Sequence, residues 1–230
     1  MKLGRRLRFI LGNGVSSQLS ELTLIEDDAM QSITLRPRNT TVVGGLGLLV
    51  GSGVWLILVT AVPGSGDFRF LAIWGLSVVS DLFLFAGAVV LAFGLFHEPG
   101  IVGASWIGKT ALVVFGARNL VFLIFGAIPF GPDVSPAAIF LNTGLSVVFA
   151  IAAIIAAVSV VLARELSGPA RWVLAVVALC YVVITSLTLS SVIEIAQFLG
   201  AVRVDIVLPA LFLMLGVVYL LQGRISAHRQ

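Results

Sequence analysis

Charge is scarce in this sequence. Only 11% of its 230 residues are Asp, Glu, Lys or Arg, against about 25% in an ordinary soluble domain. Apolar residues make up 59%, and the mean hydropathy is +1.13. So few polar side chains cannot cover a water-soluble core, so the chain is read as an integral membrane protein.

Other shortages narrow the chemistry. Cys180 is the single cysteine and falls inside an apolar run, which excludes an intrachain disulfide and a cysteine-based metal site. The two histidines, His97 and His228, fall in segments expected to be cytoplasmic. A haem held by paired intramembrane histidines is thereby excluded. No Ser/His/Asp arrangement, HExxH pair or phosphate-binding loop is present, and Gly12-Asn13-Gly14 is too short to count as one. The sixth apolar run has no lysine to form a retinal Schiff base. No metal, cofactor or catalytic role is therefore expected. The net charge of +3 is gathered at the ends of apolar segments, where it sets topology and meets lipid headgroups; no nucleic-acid partner is implied.

Apolar runs are plentiful. Six are long enough to cross a hydrocarbon core of roughly 30 Å: about 41–62, 70–96, 109–128, 137–163, 172–193 and 204–221. Proline and glycine mark most of their ends, as at Pro63-Gly64 and Pro99-Gly100. The expected fold is an all-α polytopic membrane helix bundle of about six transmembrane helices over residues 40–222. A cytoplasmic tail of 1–39 precedes it and another of 223–230 follows. In the first tail, residues 22–25 and 33–35 suit a short hairpin, and an interfacial helix from Arg5 is the alternative. Phe9–Leu11, behind the basic Lys2, Arg5, Arg6 and Arg8, is too short for the apolar region of a signal peptide. Insertion is expected to start with the first span.

Basic residues give the orientation. Lys2, Arg5, Arg6, Arg8, Arg36, Arg38, Arg164, Arg171, Arg224 and Arg229 fall on one side of a six-span arrangement, and Arg69 and Arg203 on the other. The positive side is expected to be cytoplasmic, with both termini inside. A composition richer in Arg than Lys, with abundant Ala, Val and Gly, points to a bacterial cytoplasmic membrane.

A few residues stand out within the spans. Gly47 and Gly51, four apart, form a small-residue surface for close helix packing, either inside the monomer or against a partner. Asp81 and Arg118 fall near the middle of adjacent spans. An isolated central charge costs about 2.5 to 3.5 kcal/mol on insertion scales. An ion pair between them is expected, with Asn119 adding a hydrogen bond. The pair either fixes helix register or forms a polar site for an ion, proton or anionic substrate. Lys109 is expected at the cytoplasmic interface. In the fifth span Thr185, Thr188, Ser191 and Glu194 recur every three residues, with Gln197 beyond. These suit either a solvated helix end or, with Asn142 from the fourth span, an outer vestibule. Pro209 is expected to bend the sixth span.

These features favour a small transporter or channel, or a component of one. A non-catalytic membrane subunit or assembly factor is the alternative, with a membrane-protein partner or a second copy as its contact. An intramembrane enzyme is the weakest reading, because no acid pair or nucleophile with a base is present.

Overall fold

Inside hydrocarbon every backbone N–H and C=O must be satisfied within the chain, which leaves helices as the solution for apolar runs like these. The computed structural model describes residues 39–61, 67–95, 98–126, 136–166, 168–189 and 204–228. Seven helices and no strand occur among the described residues: α1 Asn39–Ala61, α2 Asp67–Phe93, α3 Trp106–Gly116, α4 Arg118–Gly126, α5 Pro136–Ala163, α6 Ala170–Leu189 and α7 Val204–His228. The hairpin or interfacial helix expected in the first tail lies outside the described residues. Five of the helices are long and apolar enough to cross a membrane. A sixth span results if α3 and α4, bent by 42° at Ala117, are counted as one. The sequence predicted that third span as continuous. The sixth run was expected to end near Leu221, but α7 continues to His228.

Helix α1 lies between α2 and α7, and its glycines set both distances. A Cβ on Gly47 would come within 3.0 Å of the Gly87 Cα, and one on Gly51 within 2.8 Å of the Ser80 carbonyl oxygen. On the other side, a Cβ on Gly45 would come within 2.8 Å of the Leu220 nitrogen. One on Gly216 would come within 2.7 Å of the Leu49 nitrogen. Glycine costs a helix about 1 kcal/mol relative to alanine; here the cost is offset by backbone contact that no larger residue permits. The Gly47 and Gly51 surface is thus taken up within the monomer. Ser80 Oγ adds a hydrogen bond of 2.8 Å to the Gly51 carbonyl.

The turn after α2 closes this helix pair. Gly94 adopts φ +84, and the chain folds back until the Ile101 N–H donates to the Leu91 carbonyl at 2.8 Å. Glu98 then meets the start of α1. Its carboxylate accepts from the backbone N–H groups of Asn39 at 3.1 Å and Thr40 at 2.8 Å. The Thr40 hydroxyl donates to the same carboxylate at 2.8 Å and accepts from the Leu95 N–H at 3.0 Å. A carboxylate on exposed helix N–H groups is favourable both as a cap and against the helix dipole.

The rest of the core follows helical periodicity. Gly108, Ala111, Leu112 and Phe115 of α3 are buried. So are Ala152, Ala153, Ala156 and Val160 of α5, and Leu174, Val177, Ala178 and Tyr181 of α6. From α7 come Leu208, Phe212, Leu215 and Tyr219. Phe115 joins three helices, lying 5.5 Å from the Tyr181 ring and 5.6 Å from the Phe212 ring, centroid to centroid. The opposite faces, such as Ile151, Ile154, Val158 and Leu162 of α5, are exposed and apolar. A water-soluble protein would not present such a surface, whereas lipid covers it without cost.

Candidate functional site

Polar side chains near the midpoints of α2 and α6 meet the start of α4. Asp81 comes from α2 and is 8% exposed. Arg118 and Asn119 are the first two residues of α4, directly after the bend. Tyr181 comes from α6 and is 2% exposed. The bend matters to this placement: it re-aims the chain at Ala117, immediately before Arg118.

The hydrogen bonds run in one chain. Arg118 donates from Nε to the Tyr181 hydroxyl at 3.0 Å and from a terminal nitrogen to Asn119 Oδ1 at 2.9 Å. The Asn119 side chain in turn hydrogen-bonds the Asp81 carboxyl. Asn119 thus bonds to both members of the pair expected from the sequence. Its amide can accept from the cation through the oxygen and donate to the anion through the nitrogen. Arg118 still attracts Asp81 through space. The guanidinium is further held over two rings, with its central carbon 4.8 Å from the Tyr181 centroid and 5.4 Å from the Phe122 centroid. A planar cation can stack and donate at once, which lysine cannot do.

A cavity of about 20 Å³ adjoins the network, bordered by Leu84, Ala88, Phe115, Arg118, Asn119 and Tyr219. That is room for about one water. The Tyr219 hydroxyl is fully buried and makes no hydrogen bond among the described residues.

The other expected residues fare differently. Ala88 and Ala92 of α2 are buried along with Asp81, whereas Trp74 is 46% exposed. Asn142 is exposed on α5, and its backbone carbonyl accepts from Ser146 Oγ at 2.8 Å. Ser191, Glu194 and Gln197 lie outside the described residues, so the expected vestibule is represented by Asn142 alone. Thr185 is buried, and the Thr188 hydroxyl donates to carbonyls of its own helix at 2.8 and 3.0 Å. Lys109 Nζ lies 5.9 Å from the Phe93 ring centroid, and that ring meets Trp106 edge-on.

Sequence reasoning missed Tyr181 and Glu98. The signal for Tyr181 was its depth, since membrane tyrosines favour the interfaces and this one is central. Glu98 had no comparable signal. Among the described residues no group of three or more His, Cys, Asp or Glu side chains could hold a metal. Compared with known protein families, curated proteins and solved structures, the chain matches none.

Proposed function

We propose that this chain is a small transporter or channel, or a component of one, in a bacterial cytoplasmic membrane, with Asp81, Asn119, Arg118 and Tyr181 as its polar centre. One observation carries the reading. Two opposite charges lie at mid-span, bridged by an amide side chain, at the break of a bent helix. Intramembrane ionisable residues mark ion, proton and substrate paths, and interrupted helices mark binding sites in transporters. A bridged pair also separates more readily than a bidentate one, which suits a site that exchanges partners. The basic residues support an orientation with both termini in the cytoplasm.

The test is flux in liposomes. Vesicles carrying the purified chain should dissipate a proton or chloride gradient faster than empty vesicles, and Asp81→Asn or Arg118→Leu should abolish the difference. Equal rates for protein-bearing and empty vesicles would count against an autonomous transporter or channel. The cavity, sized for a water and not for a solute, favours a second reading: a non-catalytic subunit or assembly factor. Co-purification of a stoichiometric membrane partner in mild detergent would favour that one.

A further inference from the structure

Away from the polar centre, the outer faces of α5 and α6 enclose an apolar groove of about 340 Å³. Its floor includes Ala157 and Ala178, and its walls Val158, Leu162, Trp172 and Leu179. Alanines leave the depression, and the larger residues on either side raise its rims. The groove is one leaflet long. From Trp172 at the turn between the two helices to Val182 at mid-span is ten rises of 1.5 Å, about 15 Å. That is half of a hydrocarbon core of roughly 30 Å.

The turn end of the groove is basic. The Arg171 guanidinium lies 5.2 Å from the Trp172 ring centroid, and Trp172 forms the groove wall. Arg171 Nε is buried and has no hydrogen-bond partner among the described residues. Arg164, at the end of α5, is exposed and holds φ 53, a left-handed conformation for which glycine is the ordinary residue. The turn thus carries two guanidinium groups against the single carboxylate of Glu165, a net positive end that suits an anion.

We infer that the α5–α6 groove binds one anionic phospholipid of the leaflet on the Arg164 and Arg171 side. One acyl chain lies along the groove, and the phosphate meets Arg171 and Arg164. Trp172, beside Arg171, sits at the depth favoured by interfacial aromatic rings. A second helix is the poorer occupant. It would need contact along the full span, and the groove ends at Ile154 and Val182 in mid-membrane.

Native mass spectrometry tests the site. The full chain is placed in nanodiscs of equal phosphatidylglycerol and phosphatidylcholine with matched acyl chains, then released in mild detergent. One retained lipid per chain is expected, with phosphatidylglycerol favoured by about thirtyfold, the combined worth of two arginines at about 1 kcal/mol each. Arg171→Gln or Arg164→Gln should each lower the ratio to about fivefold, and the double variant should bring it near unity. Val158→Trp, at a position already 51% exposed, should fill the groove and remove lipids of both kinds. The inference is overturned by no retained lipid, by equal retention in the unaltered chain, by a ratio indifferent to both arginines, or by a second copy of the chain in the groove.

Discussion

The Arg118 guanidinium holds Tyr181 in two ways at once: Nε donates to the hydroxyl at 3.0 Å, and the cation lies 4.8 Å from the centroid of the same ring. Removing the hydroxyl keeps the ring and leaves a partly buried charged donor without its acceptor. Tyr181→Phe is therefore expected to destabilise the fold by about 1.5 to 3 kcal/mol. Reversible unfolding in mixed micelles measures it. A change within experimental error would mean that the hydroxyl contributes nothing to holding Arg118.

Glu98 and Thr40 join the turn after α2 to the start of α1 through the carboxylate, the hydroxyl and two backbone N–H groups. Glu98→Gln keeps the size and one acceptor but removes the charge from the helix end. A loss of about 1 kcal/mol is expected, the ordinary worth of a cap with its dipole term. Thr40→Val should cost a similar amount, because it removes both hydroxyl bonds. The double variant should cost less than the sum, since the two changes break the same contact. Full additivity would show that the two residues act separately.

The glycines divide into two groups that respond oppositely. A Cβ on Gly87 would come within 2.9 Å of the Gly44 carbonyl oxygen, so Gly87→Leu must force α1 and α2 apart. A cost of at least about 1 to 3 kcal/mol follows from overpacking. Gly53 and Gly75 have nothing within 4 Å of an added Cβ. Alanine at either should stabilise its helix by about 0.5 to 1 kcal/mol. Thermal unfolding of the purified variants reads both signs.

The apolar runs made the helices legible from sequence, because in hydrocarbon length and hydropathy leave the backbone little choice. Gly47 and Gly51 were legible as a packing surface. Gly87, which Gly47 meets, was not, since a lone glycine inside an apolar run has no pattern to mark it. Asp81 and Arg118 stood out by depth and charge. The way they meet did not, because it depends on the bend at Ala117. No proline or glycine occupies that position; Gly116 is its only small neighbour. Asn119 was read as an added hydrogen bond, and it makes one with each charged side chain. Nothing in the sequence marked Glu98, and only the folded-back turn brings it to Thr40.

The central claim is that Asp81 and Arg118 act on each other through Asn119. The measurement is a double-mutant cycle on stability, using Asp81→Asn and Arg118→Leu, run once in the native background and once with Asn119→Leu. The account predicts a coupling energy of about 1 kcal/mol or more in the native background and a clearly smaller one without the amide. Additive effects in the native background, or coupling unchanged by Asn119→Leu, would contradict it.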